Sequence, residues 1–141
     1  MQVGLLELLD TTFLIDLVNN DSGALAKAKD MDMNGIVPVL SVISSHEYLF
    51  GVHLRYRNDK KVLSLKLAGA RRDLGSFEML PLTQEITELS AEIHASLSAK
   101  GEIIGINDIY VGATALYHNL RLITRDVLHF ERINGLRVGN Y

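Results

Sequence analysis

Four acidic residues stand where the chain changes from strand to helix or where a helix begins: Asp10, Glu47, Asp108 and Asp126. Crossover helices run antiparallel to the strands of a parallel sheet. The carboxyl ends of the strands and the amino ends of the helices therefore share one edge of the sheet, where ligands bind in such folds. We therefore expect the four carboxylates to lie together at that edge.

A cluster of carboxylates favours a bound cation, because like charges raise each other's pKa unless a positive charge neutralises them. The chain has no cysteine and its five histidines are scattered, so the expected ligands are oxygens. Oxygen ligands select Mg²⁺ or Mn²⁺ over zinc. Such an ion lowers the pKa of a water and stabilises charge on a phosphate. The acids therefore predict hydrolysis of a phosphate ester.

Each acid also has a purely structural interpretation. Asp10 can be a helix N-cap or a solvated loop acid. Ser44 and Glu47 have the spacing of a capping box, which would explain Glu47 completely. Asp108 and Asp126 stand where a helix dipole favours a negative charge. Both interpretations of each residue stay open at this point.

Strand-like and helix-like segments alternate along the whole chain. This alternation predicts an α/β fold, with a mostly parallel sheet of about five strands covered by helices on both faces. The predicted strands are an apolar run that ends at Asp10, then 36–42, 77–80, 121–124 and 136–138. The predicted helices are 13–18, 24–29, 48–57, one opened at 58–59, one capped by Thr83, 106–118 and a short turn at 126–131.

Composition limits the class of protein. A chain of 141 residues with 48 % apolar content predicts one domain over residues 1–141 with a real core. The start at Met1 has no signal-peptide pattern, and no apolar run approaches the roughly 20 residues of a membrane helix. With no cysteine, these features predict a cytoplasmic protein. The net charge of −3 does not favour nucleic-acid binding, which must then rest on local basic patches.

Taken together, four motifs in order and spacing resemble the PIN domain family, and within it the VapC toxins of toxin–antitoxin pairs. The resemblance runs from about Leu6 to Tyr141. The motifs are Leu-Leu-Asp10-Thr-Thr, Ser41-Val-Ile-Ser-Ser-His-Glu47 with Gly51, Asn107-Asp108-Ile-Tyr-Val-Gly-Ala-Thr-Ala, and Leu122-Ile-Thr124-Arg-Asp126 with His129-Phe130.

The resemblance implies a three-layer α/β/α sandwich and a Mg²⁺- or Mn²⁺-dependent ribonuclease. It also implies a homodimer held inactive by a small antitoxin. At positions matching Asp10, Glu47, Asp108 and Asp126, family members carry the metal-binding and catalytic acids. Thr12 and Thr124 match supporting polar positions. Tyr48-Leu49-Phe50-Gly51 lacks the basic residue that relatives often carry there, whereas Asp126 stands where many members have Asn.

Our first hypothesis is therefore a VapC-type endoribonuclease in which Asp10 and Asp108 bind the ion directly. Glu47 and Asp126 complete the site, partly through water. Arg125, or the basic face of the fourth helix from Lys60 to Arg72, is expected to steer RNA. The alternative is an inactive PIN module that serves as an RNA-binding or assembly scaffold. A phosphatase or phospho-receiver is disfavoured because no lysine stands near the last strand. Three aromatic residues are expected in the core or at a subunit interface: Tyr48, Phe50 and Tyr56.

Overall fold

The computed structural model describes residues 5–141, and a five-stranded sheet forms its centre. The spatial order is β3-β2-β1-β4-β5, and all neighbouring strands are parallel. The prediction of a mostly parallel sheet is confirmed, and β1 occupies its middle position. Met1 to Gly4, used in the argument against a signal peptide, lie outside the described residues. The strands are β1 (Leu5–Leu9), β2 (Ile36–Ser41), β3 (Glu78–Leu80), β4 (Arg121–Ile123) and β5 (Val138–Gly139).

Helices cover both faces of this sheet. Successive side chains of a strand point to opposite faces, and the fully buried Leu8 and Leu9 belong to two different hydrophobic clusters. The two clusters therefore lie on opposite faces, which confirms three layers. The helices within residues 5–141 are too short or too polar to cross a bilayer. They are α1 (Thr11–Val18), α2 (Ser22–Met33), α3 (Val42–Arg55), α4 (Lys60–Gly75), α5 (Gln84–Ala99), α6 (Ile106–Tyr117) and α7 (Val127–Phe130).

Helix α3 starts six residues earlier than the sequence predicts. Ser41 ends β2 and is the N-cap, its side-chain oxygen accepting a hydrogen bond from the Ile43 amide at 3.1 Å. Ser44 is consequently buried inside the helix, so the predicted capping box between Ser44 and Glu47 is wrong. The β-branched pair Val42-Ile43 looks like strand but is helical, because the cap at Ser41 already begins the helix. Capping therefore does not explain Glu47.

The last residue of the chain, Tyr141, is held by three contacts. Its ring packs edge-on against Phe13, with 4.3 Å between ring centroids. The Arg125 guanidinium lies 4.6 Å above the ring centroid, and the Tyr141 hydroxyl donates to Asp16 Oδ2 at 2.7 Å. Arg125 also forms ion pairs with Asp16 at 3.2 Å and with Asp21 at 2.5 Å. Because two carboxylates already neutralise Arg125, its predicted role in steering RNA has no support from this geometry.

We predict that replacing Tyr141 destabilises the fold in two steps. Tyr141→Phe removes only the hydrogen bond to Asp16, and we expect a loss of about 1 kcal/mol in the free energy of unfolding. Tyr141→Ala also removes the ring from Phe13 and should cost about 2 kcal/mol more. Urea unfolding followed by circular dichroism measures both values. Unfolding of Tyr141→Ala at the wild-type midpoint would contradict the inferred contacts.

Candidate active site

A cleft of about 440 Å³ opens at the edge of the sheet where β1 and β2 end. Three of the four predicted acids line it: Asp10, Glu47 and Asp108. They come from three separate segments of the chain, as the crossover argument predicts. The other lining residues are Thr11, Thr12, Ile15, His46, Phe50, Asn107 and Val111.

Asp10 is the most deeply buried of these acids, with 6 % of its surface exposed. It is the N-cap of α1, since its Oδ1 accepts a hydrogen bond from the Phe13 amide at 2.7 Å. Its Oδ2 accepts another from the buried Thr124 hydroxyl at 2.5 Å. Burial raises the pKa of Asp10 to about 6, although both hydrogen bonds oppose the rise and the charge of Asp108 adds to it. Asp10 is thus both a helix cap and part of the cleft.

Glu47 lies in the second turn of α3 and is held by a residue that the sequence reasoning missed. The hydroxyl of Thr11 lies 2.6 Å from Glu47 Oε1 and 2.9 Å from Ser44 Oγ. A hydroxyl has one proton, so it donates to the carboxylate and accepts from Ser44. The sequence signal was a hydroxyl directly after the strand-end acid. Thr12, which was predicted to support the site, is exposed and lines the cleft.

Asp108 lies in the first turn of α6, but it is not the cap, because Gly105 occupies the N-cap position. Its Oδ2 lies 2.8 Å from His129 Nε2 on α7. His129 Nδ1 in turn lies 2.7 Å from a terminal nitrogen of Arg132. Neither His129 nor Arg132 was expected to act here, because a histidine far away in sequence gives no local signal.

Asp126 differs from the other three acids. It stands at the N-cap position of α7 without a side-chain capping bond, and it is exposed. Its backbone amide donates to the Thr124 hydroxyl oxygen at 3.0 Å, which places it near Asp10 along the same edge. Asp126 is not among the residues that line the cleft. Its role as a metal ligand remains a prediction.

One wall of the cleft is aromatic. The rings of His46 and Phe50 are one helical turn apart on α3, with centroids 6.2 Å apart and planes inclined by only 13°. Phe50 is 57 % exposed, so it is not a core residue. Tyr48 faces away from the cleft and donates its hydroxyl to Asp73 at 3.0 Å. A flat group lying parallel to one of the two cleft rings is therefore nearly parallel to the other.

The PIN domain family matches residues 8–136 of the chain. The chain belongs to the PIN domain family. A VapC ribonuclease of Pyrococcus furiosus is 32 % identical over 120 residues, which cover 79 % of this chain and 75 % of that protein.

Solved structures support the same fold. One is the crystal structure of VapBC2 from Rickettsia felis bound to a promoter DNA fragment. Its matched chain has a TM-score of 0.80 and 24 % identity, with 97 % of this chain and 99 % of that chain covered. Another, VapBC-5 of a toxin–antitoxin system of Mycobacterium tuberculosis, has a TM-score of 0.67 and 22 % identity over 96 % of both chains. The predicted PIN fold is therefore confirmed.

The donor set of this PIN domain fits a hard cation held partly through water. Within residues 5–141, no three acids or histidines are close enough to form a preassembled metal cage. The cleft is open and its ligands are carboxylates, whereas zinc prefers a closed tetrahedral site with nitrogen or sulfur ligands. Mg²⁺ usually keeps several waters and binds one or two carboxylates directly. The strongest reason to expect a cation is Asp10, because burial deprives its charge of solvation and so raises its pKa.

We predict that Asp10→Asn stabilises the metal-free protein near neutral pH. The folded-state pKa of Asp10 is raised to about 6, so between about pH 4 and 6 the folded state binds more protons than the unfolded state. The stability of the wild type therefore falls as the pH rises through that window. Removing the charge should raise the unfolding free energy at about pH 7 by on the order of 1–3 kcal/mol, and by little at about pH 4.

The measurement is urea unfolding in EDTA at both pH values, repeated with Mn²⁺. Mn²⁺ should stabilise the wild type by mass action and Asp10→Asn much less, so the order of the two proteins can reverse. Asp32→Asn, an exposed acid on α2, is the matched control and should follow the wild type. If Asp10→Asn destabilises the metal-free protein at neutral pH, the cost of burying the charge is smaller than the stabilisation from the hydrogen bonds that Asp10 accepts.

Proposed function

We propose that this PIN domain protein is a divalent-metal-dependent endoribonuclease. We further propose that it is the toxin of a VapBC-type toxin–antitoxin pair and acts in the cytoplasm. The observation that carries the proposal is the meeting of Asp10, Glu47 and Asp108 in one cleft, with Asp10 buried and its pKa raised to about 6. Relatives named VapC ribonuclease support the reaction class.

In this proposal Asp10 and Asp108 would bind Mg²⁺ or Mn²⁺ directly, and Glu47 and Asp126 would complete the site, partly through water. When bound, the ion lowers the pKa of a water and offsets charge on the phosphate. Thr124 and the Phe13 amide keep the Asp10 carboxylate in place, and Thr11 does the same for Glu47. The reaction adds water across one phosphodiester bond and leaves one phosphate monoester end and one hydroxyl end.

The surroundings of the cleft suggest how RNA is held. No lysine or arginine is among the described residues that line the cleft, so attraction to phosphate must come from the ion or from outside. The basic residues of α4, from Lys60 to Arg72, are exposed and can attract the backbone. An unpaired base can stack on Phe50 and His46, since stacking on aromatic side chains tolerates any base.

The proposed antitoxin has a candidate docking place. A second cleft of about 770 Å³ lies between α3 and α4, and its lining includes the cationic Arg55, Lys66 and Arg72. Ile15 lines both this cleft and the cleft of the acids. A segment seated between α3 and α4 therefore borders the active site. We also propose a homodimer, for which the exposed Leu54 and Leu65 on these helices offer apolar surface.

One observation favours the alternative, an inactive PIN module used as an RNA-binding or assembly scaffold. Across the described residues 5–141, three acids do not approach one another closely enough to form a metal cage. A scaffold needs no such cage. Asp10 caps α1 in either case, but a scaffold has no reason to bring Glu47 and Asp108 into the same cleft, and for this reason we place the nuclease first.

The nuclease proposal predicts that Asp108→Asn abolishes cleavage without unfolding the protein. Asp108 is not the N-cap of α6, so the substitution removes a charge from the cleft and leaves the cap at Gly105 unchanged. Loss of a metal contact should lower the cleavage rate by about 100-fold or more. The assay uses purified protein free of any bound partner, mixed-sequence single-stranded RNA and Mn²⁺, with EDTA as the metal-free arm.

Asp32→Asn is the control for this assay and should cleave like the wild type. Equal cleavage by wild type and Asp108→Asn would refute the assigned site. The scaffold is favoured if the wild type binds RNA in a gel-shift assay but cleaves none, and if wild type and Asp108→Asn bind Mn²⁺ equally well.

The stacking proposal predicts a different effect for Phe50→Ala. Removing the ring should weaken RNA binding by about 10-fold, since stacking of one base contributes roughly 1–3 kcal/mol, while Mn²⁺ affinity stays unchanged. Leu25→Ala, an exposed apolar residue on α2 outside the cleft, is the control. Two quantities are measured for each protein: the KM for a short single-stranded RNA and the Kd for Mn²⁺. An unchanged KM in Phe50→Ala would exclude the ring from substrate binding.

A further inference from the structure

The contact between Asp108 and His129 connects the cleft to a residue outside it. Asp108 Oδ2 and His129 Nε2 are 2.8 Å apart, and the two side chains come from different helices, α6 and α7. The Asp108 side chain is 41 % exposed, so packing alone does not restrict its rotamer. His129 is better buried, with 21 % of its side chain exposed. The histidine is therefore the more rigid partner of the two.

Arg132 determines which nitrogen of His129 carries the proton. A terminal nitrogen of Arg132 lies 2.7 Å from His129 Nδ1, and the guanidinium has only donor groups. His129 Nδ1 must then be an acceptor without a proton. The neutral ring therefore carries its hydrogen on Nε2, which donates to Asp108 Oδ2. The contacts at the two ring nitrogens assign this tautomer.

Arg132 is itself fixed in position. Its Nε donates to the backbone carbonyl of His129 at 3.2 Å, so two contacts join the guanidinium to one residue. Among residues 5–141, no carboxylate lies within ion-pair distance of Arg132. The hydrogen bonds of its guanidinium therefore go to His129, which in turn contacts the Asp108 carboxylate.

We propose that His129, held in its Nε2–H tautomer by Arg132, is a positioning residue that orients the Asp108 carboxylate for the divalent ion. This inference rests on the metal site of the proposed function. In this proposal Oδ2 is engaged by His129, so Oδ1 is the Asp108 oxygen left for the ion. Outer residues that hold a ligand in this way typically affect metal affinity by about 10- to 100-fold.

The other two acids of the cleft are held in a similar manner. The Thr124 hydroxyl donates to Asp10, and the Thr11 hydroxyl lies within hydrogen-bond distance of Glu47. His129 does for Asp108 what these hydroxyls do for the other acids. A merely structural link between α6 and α7 would show the same tautomer, so metal affinity separates the two roles and the tautomer tests the contacts themselves.

The test is the affinity for Mn²⁺, measured by isothermal titration calorimetry on the full chain. We expect His129→Ala to raise the Kd by about 10- to 100-fold. His129→Gln, whose amide can donate in place of Nε2–H, should restore most of the affinity. His118→Ala, an exposed histidine at the other end of α6, is the matched control and should bind like the wild type.

A second readout does not depend on metal or activity. Long-range ¹H–¹⁵N spectra of the metal-free wild type should show His129 as the Nε2–H tautomer, and Arg132→Met should weaken that preference. The Nδ1–H tautomer in the wild type would overturn the proposal. A Kd in His129→Ala equal to that of the wild type would overturn it as well, even if the melting temperature falls, because the residue would then be structural only.

Failure of the proposed function gives a different pattern. If the wild type binds no Mn²⁺, or if Asp108→Asn does not weaken the binding, the metal site and this inference are both wrong, whatever the tautomer. If His129→Ala does not fold, His129→Gln and Arg132→Met give the decision. An Mn²⁺ affinity of Arg132→Met equal to that of the wild type, together with an unchanged tautomer, would show that Arg132 does not act through His129.

Discussion

The hydrogen bond from the Thr124 hydroxyl to Asp10 joins the ends of the two central strands. Leu9 of β1 is in register with Ile123 of β4, and the Asp10 amide donates to the Ile123 carbonyl at 3.1 Å. The backbone and the side chain of Asp10 are therefore both tied to the end of β4. From this point α1 begins, since Asp10 Oδ1 caps it at the Phe13 amide. The Thr124 oxygen also accepts the Asp126 amide, so one hydroxyl organises the edge of the sheet.

This arrangement keeps a carboxylate where solvation is poor. Burial raises the pKa of Asp10 to about 6, so near neutral pH the metal-free fold carries a charge that destabilises it. Two hydrogen bonds reduce that cost but do not remove it. The proposed cation would offset the remainder, and proteins commonly lose stability at the groups on which activity depends. The stability of this PIN domain and its proposed activity therefore make opposite demands on Asp10.

The acids of the cleft accept hydrogen bonds from hydroxyl, imidazole and backbone amide groups. Thr11 reaches Glu47 across from α1 to α3, and His129 reaches Asp108 across from α7 to α6. Each of these contacts connects elements that are distant in sequence. Arg125 and Asp126 are adjacent in sequence but make different contacts. Arg125 forms ion pairs with Asp16 and Asp21, whereas Asp126 is exposed. Neighbours in sequence thus take different roles, because, of the two, only Arg125 has oppositely charged side chains within ion-pair distance among residues 5–141.

The sequence by itself determined the parallel α/β fold and the edge where the acids meet. Both depend on patterns within short segments: buried β-branched runs, helix caps such as Thr83, and acids placed after strands. The start of α3 could not be predicted in this way, because Val42 and Ile43 suit a strand and only the cap at Ser41 decides for helix. The tertiary structure alone decided which side chains hold the acids. Thr11 and His129 meet their acids through packing between elements, and no local pattern encodes a contact 21 or 36 residues away. Arg132 contacts His129 only three residues away, but its role depends on the distant contact between His129 and Asp108.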